Sequence, residues 1–192
     1  METPYRLALF ASGTGSNVMN IVEYFKERAL YKVYSNKSEA PVVQKAKSLK
    51  IDTMVFNREE CYQTSLLLDD LRAFKPELIV LAGFLWLIPS KIIKEFPRQI
   101  INLHPSLLPK YGGKGMYGMK VHQAVVHNRE KHTGITIHYV NENYDEGEII
   151  FRHVILIAPE DTPEIVAQKV QKLEHQDYPA IIERILHHQR RI

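Results

Sequence analysis

Cysteine is almost missing from this sequence: Cys61 is the one thiol in 192 residues. A lone cysteine closes no intrachain disulfide and has no ligand cluster beside it. That excludes a disulfide scaffold and a cysteine-built zinc centre, and it suits a reducing compartment. No apolar run approaches the roughly 20 residues of a membrane-spanning helix; the longest, around Leu78 to Ile88, is broken by Gly83 and closed by Pro89. The start, METPYRLALF, has neither the basic n-region nor the small-residue cleavage site of a secretory signal. A cytoplasmic protein is therefore expected. Charge of one sign is scarce as well: a formal +3 with 24% charged residues is too mild for nucleic-acid binding but suits a small anionic ligand. Repeats, low-complexity stretches and linkers are absent, so the whole length, 1–192, reads as one domain.

What is present is an alternation of short apolar runs with helical patterns. Tyr5 to Ala11 leads into SGTGSN, after which Val18, Ile21, Val22 and Phe25 recur at helical spacing. A strand around Tyr31 to Ser35, a helix from Glu39 to Lys50, a strand at Thr53 to Phe56 and a helix from Tyr62 to Phe74 follow. ELIVLAGF, a helix over Ser90 to Phe96 and the run IINLHPSLLPK bring the number of strands to five by His104. Pro105 and Pro109 forbid that last strand from continuing as a regular ladder. Tyr111 to Gly118 (YGGKGMYG) holds four of the nine glycines and reads as a candidate lid. A helix carrying His122 and Val125 precedes TGITIHYV, which alternates with period two, and a last strand at Glu148 to Ile157. Asp161-Thr162-Pro163-Glu164, with a capping residue, proline in the first turn and an acid close behind, starts a closing helix that runs to about His187, with a kink expected at Pro179. The fold class is α/β: a doubly wound, mostly parallel sheet of about seven strands with a C-terminal antiparallel pair.

Two places can carry chemistry. Gly13-Thr14-Gly15-Ser16-Asn17 lies between a strand and a helix, where backbone N–H groups and the helix dipole favour an anion, phosphate above all. The same residues also read as a plain glycine turn and helix cap. No Gly-Lys-Ser/Thr follows, and Val18 stands where a dinucleotide fingerprint wants its third glycine, so neither ATP nor a dinucleotide is expected. Asn102 and His104 share one face of a strand end: an amide donor for a developing oxyanion and an imidazole that moves a proton near neutral pH. A satisfied structural histidine fits the same pattern. Asp145, in the NYDEG turn, would orient the ring and favour its protonated form if it came near, and otherwise serves the turn. His122, His127 and His132 are five apart, neither one helix face nor a zinc spacing, and His187-His188 reads as a solvated helix end, so no metal is expected.

In order and spacing, SGTGSN, YSNK, LAGF, NLHPSLLPKY, HTGITIHYV with DEG beyond it, and QKLEH followed by YP resemble the phosphoribosylglycinamide formyltransferase family over almost the whole chain. The resemblance implies formyl transfer from 10-formyltetrahydrofolate, as co-substrate, to the amine of phosphoribosylglycinamide in purine synthesis, without metal or ATP. It implies Asn102, His104 and Asp145 as the catalytic trio, with Asn102 and a protonated His104 on the oxyanion. Gly13, Thr14, Gly15, Ser16 and Asn17, with Gln171, Lys172, Leu173 and Glu174, would hold the phosphoribosyl substrate. Arg58, Leu85, Trp86, Leu87, Ile88, Asn102, Val140, Asn141, Glu142, Asn143, Tyr144 and Asp145 would line the folate pocket. The phosphate-binding half then covers about 1–100 and the catalytic and folate half 101–192. Trp86 stands where many members carry arginine, and the YGGKGMYG loop is longer than the common pattern. Partners are then small molecules, not nucleic acid or a membrane, for a monomer or a homodimer. Competing expectations are formyltetrahydrofolate deformylase, which should carry an N-terminal regulatory domain, methionyl-tRNA formyltransferase, which should carry an RNA-binding domain, and a phosphate-binding module without turnover.

Overall fold

A computed structural model describes residues 3–191. Its elements alternate as the apolar periodicity requires: β1 (Tyr5–Phe10), α1 (Ser16–Phe25), β2 (Ala29–Ser35), α2 (Pro41–Ser48), β3 (Asp52–Val55), α3 (Arg58–Tyr62), α4 (Leu66–Phe74), β4 (Leu78–Leu81), α5 (Ser90–Glu95), β5 (Ile100–His104), α6 (Met119–His127), β6 (His132–Tyr139), β7 (Ile149–Leu156) and α7 (Pro163–Gln189). One seven-stranded sheet runs in the order β3-β2-β1-β4-β5-β6-β7. The first five strands are parallel, and β6 and β7 join antiparallel. The fold class read from the sequence is the one observed.

Alternate strand residues feed two cores, one on each face of the sheet. Leu7, Leu9, Val33, Val80, Ile101, Leu103, Ile135 and Ile137 pack under α1, α2 and α7. Ala8, Phe10, Tyr34, Ile79, Leu81 and Ile100 pack under α3, α4 and α5. The parity of β5 therefore puts Ile101 and Leu103 against α7 and leaves Asn102 and His104 on the opposite face. The strand ends at His104, as the prolines demand.

One element expectation needs correction. The helix expected over Tyr62 to Phe74 is two helices, because Asn57 and Glu60 form a reciprocal capping box that starts α3 early. The helix start read at 161–164 is observed: Thr162 caps α7, its Oγ1 accepting from Ile165 N–H, while the Asp161 carboxylate accepts from Ala158 N–H and pairs with Lys169. Helix α7 runs unbroken through Pro179. Proline at that position removes the donor that the His175 carbonyl, one turn earlier, would have received. Asn20 of α1 supplies it instead, donating from Nδ2 to His175 O at 2.7 Å.

Candidate active site

The carboxyl ends of β1, β4 and β5 open into one cavity of about 620 Å³, at the crevice where a doubly wound sheet presents its loops. One end is the Gly13–Asn17 loop. Gly15 has φ +70°, and a Cβ there would lie 2.3 Å from Val42 Cγ2, so only glycine lets α2 close on the loop. Lys45 braces it from behind, donating to Thr14 O at 2.9 Å. Asn17 Nδ2 donates to Glu174 Oε2 at 2.7 Å, which couples the loop to α7. Burial pushes the Glu174 carboxyl above the usual range, against the lowering effect of that bond. Asn17 Oδ1 is buried with no hydrogen-bond partner among the described residues. An acceptor left unpaired in a cavity wall marks a place for a polar ligand.

The other end is an apolar wall of Leu85, Trp86, Leu87, Ile88 and Val140, with Asn143 and Tyr144 at its edge. Ser12 joins the two ends, since its hydroxyl accepts from Leu85 N–H at 3.0 Å.

A closed polar network lines the same cavity. Asp145 Oδ2 is 3.4 Å from His104 Nδ1, and Asp145 Oδ1 accepts from Asn102 Nδ2 at 3.3 Å and lies 3.6 Å from His138 Nε2. The carboxylate also accepts from Gly113 N–H at 2.9 Å. Asp145 has φ +56°, the left-handed conformation that a short acidic side chain tolerates. Burial works to raise its carboxyl, yet His138, His104 and Gly113 together hold it below the usual carboxylate value. His104 Nε2 lies 2.7 Å from the Tyr111 carbonyl, which requires the proton on Nε2 and leaves Nδ1 the lone pair of the neutral ring.

Two expectations about these groups change. Asp145 was to keep His104 protonated, but burial pulls the imidazole below its ordinary value against Asp145 and the Tyr111 carbonyl. Burial thus favours the neutral ring at rest. Asn102 was to offer a free amide donor, but its Nδ2 lies 3.2 Å from His138 Nε2 and 3.3 Å from Asp145 Oδ1. Its N–H groups therefore serve protein acceptors until a ligand displaces one.

His138 joins this network, and sequence reasoning passed over it. Its signal was available: in TGITIHYV the period-two alternation puts His138 on the face of Thr136, and the register sets it opposite Asn102. Its Nδ1 donates to Tyr139 O at 2.8 Å, which makes Nε2 the acceptor for Asn102.

The remaining site residues divide. Gly13, Thr14, Ser16 and Glu174 line the cavity, whereas Gln171 and Lys172 are exposed on α7 away from its lining and Leu173 is in the core. Asn141 and Glu142 lie outside the lining; Asn141 Oδ1 instead accepts from Asn143 N–H and shapes the turn. Arg58 reaches the rim only through aromatic faces, 5.8 Å from the Trp86 ring centre and 5.5 Å from that of Tyr62. Among the described residues no group of three or more His, Cys, Asp or Glu side chains is placed to hold a metal ion, and no helix is long and apolar enough to cross a membrane.

Residues 5–182 match the family model described as formyl transferase. A chloroplastic phosphoribosylglycinamide formyltransferase of Vigna unguiculata is 41% identical over 186 residues, covering 93% of this chain and 60% of the relative. The chain thus spans about three fifths of that plant protein. A phosphoribosylglycinamide formyltransferase of Bacillus subtilis is 35% identical, with 94% of each chain covered. The crystal structure of the phosphoribosylglycinamide formyltransferase of Anaplasma phagocytophilum superposes with a TM-score of 0.86 at 31% identity, covering 96% of this chain and 88% of that one.

Proposed function

The chain belongs to the formyl transferase family, and from that premise we propose that it moves the formyl group of 10-formyltetrahydrofolate onto the amine of phosphoribosylglycinamide. The observation that carries this reading is that the Asn102, His104, Asp145 network, an anion-suited loop and an apolar wall all line one cavity. The phosphate takes the N–H groups of the loop at the start of α1. The pterin slides along Leu85 to Ile88, Val140 and Tyr144. Glu174 and the free Asn17 Oδ1 meet the ribose and glycinamide groups. The partners are small molecules, and the setting is cytoplasmic.

The chemistry starts from a neutral His104. As the amine adds to the formyl carbon, the new oxyanion draws an N–H of Asn102 away from its protein acceptor. The proton shed by the amine goes to His104 Nδ1, the nitrogen with the lone pair, where Asp145 stabilises the imidazolium as it forms. His104 then returns that proton to the folate nitrogen, the C–N bond breaks, and tetrahydrofolate leaves.

Replacing His104 with alanine tests the assignment. Turnover should fall by about 10²–10⁴ while formyl-folate still binds, and an unchanged rate rejects it. Incubation with 10-formyltetrahydrofolate alone separates transfer from hydrolysis. Tetrahydrofolate release is expected only once phosphoribosylglycinamide is added, and rapid release without it favours the deformylase.

A further inference from the structure

The cavity that receives two anionic substrates is poor in positive charge. Asp145 and Glu174 both line it, and among the described residues Lys114 is its one lysine or arginine. Lys45 reaches only the back of the phosphate loop, through the Thr14 carbonyl. Lys114 itself has no hydrogen bond or ion pair among the described residues.

Its place on the chain is unusual. Gly113 and Gly115 flank it at φ +92° and +90°, and a Cβ on either glycine would meet nothing within 4 Å. The lysine therefore sits between two left-handed glycines in open space, free to swing without breaking a packed contact. The segment is nevertheless tethered at both ends. Gly113 N–H holds Asp145 at the reaction centre. Beyond Gly118 begins α6, which packs on α7, the helix whose Glu174 is bonded to Asn17 of the phosphate loop. The segment and the Gly13–Asn17 loop line the same cavity, and the segment is anchored to the Asp145 carboxylate at its start.

We propose that Lys114 is a specificity-determining residue that closes on the phosphate of the phosphoribosyl acceptor, adding a full charge to the dipoles of the Gly13–Asn17 loop. The proposal rests on the formyl-transfer reading. A loop of N–H groups and hydroxyls contributes only partial charges, so a dianion held by it gains most from one mobile ammonium group. The glycines on either side supply the reach.

Steady-state kinetics of Lys114→Met and Lys114→Arg with both substrates test it. Lys114→Met should raise the KM for phosphoribosylglycinamide by about 10- to 100-fold, the size of a lost charge-assisted hydrogen bond, and leave the KM for formyl-folate unchanged. Lys114→Arg should restore most of the loss. With the dephosphorylated acceptor, ribosylglycinamide, the wild type and Lys114→Met should behave alike. An unchanged acceptor KM overturns the proposal. So does a rise confined to the folate KM, which would put the lysine on the folate carboxylates, or an equal loss with the dephosphorylated acceptor. Wild-type protein without formyl transfer would reject the functional reading alone. Calorimetric titration with inorganic phosphate then still decides the role of Lys114: weaker binding by Lys114→Met supports it, and equal binding overturns it.

Discussion

At the scale of single residues, the resting site holds each reactive donor on a protein partner. His104 Nε2 is committed to the Tyr111 carbonyl and Asn102 Nδ2 to His138 and Asp145. The proposed reaction then depends on partner exchange, and in it His138 sets what Asn102 gives up. His138→Leu should lower kcat about tenfold with little change in either KM, as expected for one unpaired buried donor; a pure KM effect in steady-state assays would argue against this role. The pH dependence follows from His104. Its folded pKa lies below the ordinary 6.5, so the neutral base is fully available at pH 7 and above, and activity should fall as pH drops through the depressed value. The same shifts set the acid stability. The folded pKa of His104 lies below 6.5 and that of Asp145 below 3.8. Both contributions are complete above those values and are lost as pH falls through the folded ones, because the unfolded chain then binds more protons. Thermal melts from pH 7 to pH 3 should show a falling midpoint.

At the scale of elements, two side chains make unusual backbone arrangements tolerable. Asn20 satisfies the carbonyl that Pro179 leaves open, which lets α7 continue over the sheet with Tyr178 buried beneath it and donating to Leu81 O at 3.0 Å. Asn20→Ala should cost about 1–3 kcal/mol, the price of a buried unpaired carbonyl, readable as a lower urea midpoint at unchanged slope. Gly15 plays the matching part at the other end of the site. Gly15→Ala forces Val42 outward, so the phosphate loop should loosen, with acceptor KM rising much more than folate KM. An equal rise in both would place the damage elsewhere.

At the scale of the molecule, the two halves proposed to hold the phosphate and the catalytic groups share one sheet. Pairing of Ile79 with Ile100, Val80 with Ile101 and Leu81 with Asn102 crosses the boundary near residue 100, and α7 packs back on α1. We therefore expect a single cooperative unfolding transition by both fluorescence and circular dichroism. Leu7→Ala and Ile79→Ala, on opposite faces of the sheet and both fully buried, should each lower stability by about 2–5 kcal/mol without splitting that transition. Two separate transitions would mean that the halves fold independently.

The order of strands and helices, the stop at His104, the phosphate-suited loop and the antiparallel pair were legible in the sequence. Each is written in local signals: apolar period, proline, glycine and capping residues act within a few positions of themselves. Asn102 and His104 were legible as a pair because a strand's period of two fixes their common face. What only the tertiary structure decided is whatever depends on groups distant along the chain. The neutral state of His104 is a contest between burial and Asp145, and no local pattern fixes the depth of burial. The engagement of Asn102 by His138 needs the register of β5 on β6. The unbroken course of α7 through Pro179 needs an asparagine from the first helix. Sequence sets local geometry because its causes are local; charge states and shared hydrogen bonds wait for the fold, which brings their partners together.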